Sequence, residues 1–178
     1  VLVTVEPERR TEFDLHVRIP GWARNKPVPG DTYHYLDDFA GEVSLTLNGV
    51  PLDYTLVDGY AVIHRKWKKG DVVLLDIPMP VCRITAIEEI EENHNRVALQ
   101  RGPLVYCFEH ADNQGRAMNI VLPDNAILSA EHRPELLGGV VVIRGEAPVA
   151  AVSADGLEVH SVDREVTAIP YYSWANRG

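Results

Sequence analysis

The sequence predicts an all-β fold of two consecutive β-sandwich-like domains, built from mainly antiparallel strands with almost no helix. Apolar and polar residues alternate with a period of two over short segments. These segments recur about every ten residues with turn residues between them, which is the pattern of a sandwich. Pro78 and Pro80 interrupt the pattern. We therefore place a domain boundary there and expect one domain at 1–80 and a second at 81–178.

The first domain contains the clearest strand and turn signals. Residues 13–19 alternate and end at Pro20-Gly21, and residues 43–47 lead into Asn48-Gly49, which supplies the two positive-φ positions of a type I′ hairpin turn. Residues 24–42 are rich in Pro, Gly and Asp and predict a long surface connection. We expect strands at 13–19, 43–47, 50–52, 54–57, 60–64 and 72–77.

The second domain begins with a stretch at 81–92 that carries an acidic run and shows no clear strand. Beyond it, alternation returns, and Asp155-Gly156 predicts a hairpin turn. Residues 134–137 predict one short helical turn, closed by Gly138-Gly139. We expect strands at 97–100, 104–109, 120–122, 140–144, 147–152, 157–162 and 166–169.

Charge and hydropathy exclude two classes of partner. The chain carries 17 Lys and Arg against 26 Asp and Glu, a net charge of −9, with no basic cluster to bind phosphates. No apolar run approaches the ~20 residues that cross a bilayer as a helix. We expect neither nucleic acid nor membrane as a partner, whereas a cytoplasmic and an exported location both stay open.

The two cysteines, Cys82 and Cys107, are too few for a disulfide scaffold and lack the CxxC spacing of a zinc knuckle. Free cysteine is among the most buried residue types, so each is interpreted first as a small apolar residue of a strand. A single disulfide between them is the alternative.

A search for catalytic groups finds no convincing constellation. The seven histidines show no HxH, HxxxH or HExxH spacing for a metal, and GxSxG, GxGxxG and GxxxxGK[ST] motifs are absent from the sequence. Asp37-Asp38 or the glutamates within 88–92 could supply a glycosidase acid pair, but neighbours on a strand point to opposite faces and a charge run is usually solvated. We therefore predict no catalytic, cofactor-binding or metal-binding residue in this chain.

Aromatic residues fall into two groups. Trp22 and Trp67 lie at strand ends, where a large ring commonly seals a sandwich core. Tyr171, Tyr172 and Trp174 follow Pro170 so closely that they cannot all point inward. We expect one or more of these three rings to contact something outside the fold, either a sugar or another domain.

Four stretches resemble glycoside hydrolase family 127. They are LHVRIPGWA at 15–23, LNG at 47–49, VALQRGPLVYC at 97–107 and AIPYYSWANRG at 168–178, and they are similar to the C-terminal part of these β-L-arabinofuranosidase-like proteins. The resemblance implies an N-terminal helical barrel that holds the active site, followed by middle and C-terminal β-sandwich domains. It also implies that the second domain is truncated at its C terminus, because the family usually continues beyond this stretch.

The family's catalytic chemistry does not transfer to these residues. The resemblance implies a cysteine nucleophile beside a zinc ion held by cysteines and a glutamate, with an adjacent Cys-Cys pair, all in the catalytic domain. This sequence has no adjacent cysteines. Neither Cys82 nor Cys107 inherits the role, and zinc is implied only for the catalytic domain that this chain lacks.

Two functions therefore stay under consideration. The first is a non-catalytic accessory segment that supports its own catalytic (α/α) barrel, the part implied to hydrolyse an L-arabinofuranoside. The alternative is a carbohydrate-binding module for arabinose-containing plant glycans. We further expect Arg101, Asn176 and Arg177 to make structural hydrogen bonds at a domain junction.

Overall fold

A computed structural model describes residues 1–36, 41–115, 117–153 and 155–176 of the chain. Regular structure in these ranges consists of antiparallel strands and short 3₁₀ segments, so the predicted all-β class is confirmed. The chain divides into two compact units, Val1–Pro80 and Val81–Gly178. No helix in the described part of the chain is long and apolar enough to cross a membrane.

The first unit contains two packed sheets. Its strands are β1 (Leu2–Val5), β2 (Thr11–Arg18), β3 (Tyr33–Tyr35), β4 (Ser44–Leu47), β5 (Val50–Pro51), β6 (Thr55–Val57), β7 (Tyr60–Trp67) and β8 (Asp71–Asp76), with a 3₁₀ segment at Gly21–Arg24. One sheet has the order β1-β8-β4-β5 and the other β2-β7-β6. The unit is therefore a small sandwich.

The core of this sandwich follows from the alternation in sequence. Val17 pairs with Ala61 across β2 and β7, and Leu45 pairs with Leu75 across β4 and β8, so each sheet has one apolar face. These faces meet in a single cluster that includes Trp67, which is completely buried. Trp22 is half-buried against the same cluster, so both tryptophans contribute to the core as predicted.

The predicted hairpin turn at Asn48-Gly49 is confirmed, and Asp58-Gly59 forms a second turn of the same kind. Asn48 and Gly49 have φ of 52° and 81°, and Asp58 and Gly59 have φ of 49° and 85°, the positive values that a type I′ turn requires. The Asn48 side chain also donates to the buried Asp71 carboxylate at 3.0 Å. This hydrogen bond lowers the pKa of Asp71 and keeps the carboxylate ionised in the core.

The strands of the second unit form a single antiparallel sheet. Its strands are β9 (Val81–Ala86), β10 (Ala98–Arg101), β11 (Leu104–Phe108), β12 (Leu128–Arg133), β13 (Val140–Val152) and β14 (Val159–Pro170), in the order β12-β13-β14-β11-β10-β9. Short 3₁₀ segments lie at Glu91–Asn93, Ala117–Asn119 and Tyr171–Ser173. Apolar clusters form on both faces, around Ile143 and Ala168 on one and around Val142 and Ile169 on the other.

The strand predictions for this unit need three corrections. β9 and β12 were not predicted, and the expected strand at 120–122 is reduced to a single bridge between Ile120 and Val149. The expected breaks within β13 and β14 are absent, because Gly145 pairs with Val166 and the ladder continues. A Cβ at Gly145 would lie 2.9 Å from the Ile127 carbonyl oxygen, so this glycine allows the start of β12 to approach rather than ending a strand.

The β13–β14 hairpin is the longest element of the chain. Its inner half is flanked by β12 and β11, but β12 pairs only as far as Gly145 and β11 pairs only with 168–170. Beyond these points the hairpin continues as a two-stranded ribbon, contacted by the Ile120 bridge. Near its tip Val152, Leu157 and Val159 are 62%, 83% and 76% exposed.

Candidate functional site

The aromatic turn, defined here as Tyr171 to Trp174, follows β14 directly. Tyr171, Tyr172 and Trp174 are 57%, 61% and 55% exposed, whereas Ser173 between them is buried. Tyr171 and Trp174 stack on each other with ring centroids 5.9 Å apart and planes only 4° from parallel. At this centroid distance the parallel rings overlap only in part, and both residues stay more than half exposed.

Backbone hydrogen bonds hold the aromatic turn in place. The Trp174 N–H donates to the Tyr171 carbonyl at 3.0 Å, and the Asn176 side chain donates to the Tyr172 carbonyl at 3.2 Å. The next residue, Ala175, has a φ of 58°, a left-handed conformation that is uncommon for a residue with a Cβ. Its N–H donates to the buried Glu109 carboxylate at 2.7 Å, which stabilises this conformation.

A second buried polar residue fixes the loop that carries Glu109. The Asn113 amide donates to the Glu109 carbonyl at 2.8 Å and to the Thr167 carbonyl at 2.9 Å, and its oxygen accepts from the Thr167 N–H at 2.9 Å. Asn113 thus substitutes for a strand partner of β14 at the point where β11 has ended. The loop and the aromatic turn are consequently held to the same strand.

A groove of about 500 Å³ lies between the aromatic turn and the loop after β11, which carries Glu109 and Asn113. Trp174 forms one wall and Met118, which is 85% exposed, forms part of another. Glu109 and the exposed His110 add polar groups. The complete lining is Phe108, Glu109, His110, Ala111, Ala117, Met118, Trp174 and Ala175. The groove is therefore mainly apolar, with a polar contribution from one loop.

The three residues expected at a domain junction lie in different surroundings. Arg101 is the last residue of β10, and its Nε is buried with no hydrogen-bond partner within the described residues. The Arg101 guanidinium partly opposes the rise in the pKa of the Tyr106 phenol that burial causes. Asn176 bonds within the aromatic turn, as described above. Arg177 lies outside the described residues, so the junction role of all three stays a prediction.

The two cysteines do not form a disulfide with each other. Cys82 pairs with Gln100 on β10, which in turn pairs with Val105 on β11, so Cys82 and Cys107 lie two strands apart. At ~4.8 Å per strand this separation exceeds the reach of a disulfide. Burial, together with the negative charges of Glu109 and Asp112, raises the pKa of the Cys107 thiol and makes it a weaker nucleophile.

The acidic candidates from the sequence are covered only in part by the described structure. Asp37 and Asp38 lie outside the described residues, and the glutamates of 88–92 lie in the loop after β9, where Glu91 and Glu92 start a 3₁₀ segment. Within the described residues no group of three or more His, Cys, Asp or Glu side chains is arranged to hold a metal ion.

Comparison with known families covers both units. Residues 1–79 match the model described as the GH127 middle domain of β-L-arabinofuranosidase, and residues 81–178 match the model of the glycoside hydrolase family 127 C-terminal domain. The chain belongs to glycoside hydrolase family 127. The resemblance expected from four short stretches is thereby confirmed over the whole chain.

Individual relatives support the assignment of this chain to family 127. It is 32% identical over 174 residues to the non-reducing end β-L-arabinofuranosidase of Bifidobacterium longum subsp. longum, covering 90% of this chain and 24% of that protein. It superposes on a solved GH127 β-arabinofuranosidase with a TM-score of 0.90 and 38% identity, covering 96% of this chain and 27% of the other. A GH127 β-L-arabinofuranosidase from Geobacillus stearothermophilus T6 gives a TM-score of 0.84 and 41% identity, covering 99% and 26%.

The chain thus spans about a quarter of the length of the family 127 relatives that it matches. Of the candidate residues, sequence reasoning selected the aromatic turn but not its supports. Glu109, Asn113 and Met118 belong to a loop without a recognisable motif, and only the pairing of β11 with β14 brings this loop to the turn. A buried Asn beside a strand end gives no signal in a single sequence.

Proposed function

We propose that this chain is a non-catalytic accessory segment of a family 127 glycoside hydrolase, and that it supports a catalytic (α/α) barrel carried by the same polypeptide. The observation that carries the proposal is the pair of family matches. A middle domain and a C-terminal domain together account for residues 1–79 and 81–178, and the same residues superpose on only about a quarter of whole β-arabinofuranosidases. The zinc chemistry and the hydrolysis of an L-arabinofuranoside are assigned, in this proposal, to the catalytic barrel.

The tip of the β13–β14 hairpin supports a packing role. The base of the ribbon packs on a buried apolar cluster within the unit, but its tip carries Val152, Leu157 and Val159, all largely exposed. Exposed apolar clusters of this kind mark interaction surfaces. We assign the tip to contact with the barrel of the same polypeptide, whose packing would stabilise the ribbon.

Two measurements test the proposal. The isolated 178-residue chain, shown to be folded by circular dichroism, should give no turnover of an aryl β-L-arabinofuranoside, and measurable turnover would refute the non-catalytic assignment. In the full-length polypeptide, Leu157→Glu should lower the thermal midpoint of the catalytic barrel. Ile127→Glu is the matched control, since Ile127 is 87% exposed but lies outside the hairpin. Equal midpoints for both variants would remove the packing role of the tip.

A further inference from the structure

The groove beside Trp174 has the features of a small-molecule site. Its volume of about 500 Å³ falls in the range of ligand sites, ~300–1,000 Å³, and its walls combine apolar side chains with a few polar groups. It is built entirely from residues of the second unit.

We propose that this groove binds a neutral saccharide, with one sugar ring stacked on the exposed face of Trp174 and its hydroxyl groups directed to the loop of Glu109 and His110. The assignment goes beyond the accessory role proposed above and does not depend on it. A sugar ring presents a flat face of C–H groups with hydroxyls at its rim. An indole wall beside a carboxylate and an imidazole offers both an apolar surface and hydrogen-bonding groups to such a ring.

The geometry of Trp174 supports this ligand class. Tyr171 lies parallel to the indole, which restrains the plane of the ring, and Trp174 stays 55% exposed. The left-handed Ala175, held by Glu109, adds a conformational constraint immediately after Trp174. A non-glycine residue in this conformation persists only where surrounding contacts enforce it, and such residues cluster at functional sites. The orientation of the Trp174 ring is therefore fixed before any ligand binds.

Charge selects a neutral ligand. The acidic Glu109 is one of the residues that line the groove, and the chain as a whole carries a net charge of −9. Both disfavour phosphorylated or uronic sugars through like-charge repulsion. An uncharged saccharide should consequently bind more tightly than an acidic one of the same length.

The aromatic turn contains its own matched control. Tyr172 is as exposed as Trp174 and lies in the same turn, but it does not line the groove or join the ring stack. A saccharide site predicts that Trp174→Ala abolishes binding whereas Tyr172→Ala leaves it intact. A protein-docking surface formed by the whole turn would instead be weakened by both substitutions.

The experiment titrates the 178-residue chain with arabino-oligosaccharides of two to five residues and, separately, with oligogalacturonate, by calorimetry and by iodide quenching of tryptophan emission. Trp67 is fully buried and Trp22 half-buried, so iodide reports mainly on Trp174. We expect the neutral oligosaccharides to protect Trp174 from iodide and Trp174→Ala to weaken calorimetric binding at least tenfold, with Tyr172→Ala unchanged.

Three results would overturn the proposal. The first is a folded chain that gives neither heat nor protection with the neutral oligosaccharides. The second is equal loss of binding in both variants, which would indicate a docking surface. The third is tighter binding of oligogalacturonate. Since none of these measurements involves turnover or the catalytic barrel, their outcome is separate from the test of the accessory role.

Discussion

Trp67 gives the most direct test of the sandwich in the first unit. Its ring is fully buried and stacks on Phe13 with centroids 5.7 Å apart, and its Nε1 donates to the Phe13 carbonyl at 2.9 Å. Truncation of a buried aromatic residue to alanine costs about 3–5 kcal/mol. Loss of the hydrogen bond contributes about 1 kcal/mol. We therefore expect Trp67→Ala to lower the free energy of unfolding of this unit by about 4–6 kcal/mol.

Graded variants keep this test informative if Trp67→Ala does not fold. Trp67→Phe retains most of the ring volume but not the indole N–H, so it should cost only about 1–2 kcal/mol. Trp22 is half-buried, and Trp22→Ala should cost about 1–2 kcal/mol, well below the value for a fully buried ring. Urea denaturation followed by far-UV circular dichroism measures all three. A loss below about 1 kcal/mol for Trp67→Ala would refute the assignment of this ring to the core.

Three further predictions concern polar side chains. The His64 ring contacts the carboxylates of Asp14 and Glu12, which raises the pKa of His64 above 6.5. The charged ring therefore stabilises the fold fully below pH 6.5, and this stabilisation is lost as the pH rises through the raised pKa. The urea midpoint should fall over that pH range in the wild type but not in His64→Gln. Asn113→Ala removes three hydrogen bonds, costs about 2–4 kcal/mol, and should speed amide exchange in its loop, whereas unchanged exchange would contradict the anchoring role. Arg101→Ala removes the guanidinium that interacts with the buried Tyr106 phenol, so it should lower the thermal midpoint of the chain, and an unaltered midpoint would exclude a structural role for this residue.

Local signals explain which parts of the fold were predictable. Asn48-Gly49 and Asp58-Gly59 specify their turns because Asn, Asp and Gly are the residues that adopt the positive φ values of a type I′ turn most readily. Strand β12 carries Glu131, His132 and Arg133 and has no buried side chain, so its sequence shows no apolar alternation. It becomes a strand through its pairing with β13, a non-local contact that a single sequence does not display.

The candidate site shows the same division. Trp174 and its two tyrosine neighbours stand out in sequence because they are too dense for one buried face. The groove, in contrast, depends on Glu109 and Met118, which reach Trp174 only after β11 has paired with β14. The sequence therefore indicates the exposed rings but not the other residues that line the groove.

The pairing of β1 with β8 has a consequence for how the first unit folds. Leu2 pairs with Leu74 and Val5 with Asp71, so the first strand of the unit finds its partner only in the last. During synthesis β1 must wait, unpaired, until nearly the whole unit has left the ribosome, although the Asn48 and Asp58 hairpins can form earlier. Contacts of such large sequence separation slow folding. We expect β1 to pair last. Until it does, its apolar residues are the part of the unit most prone to misassembly.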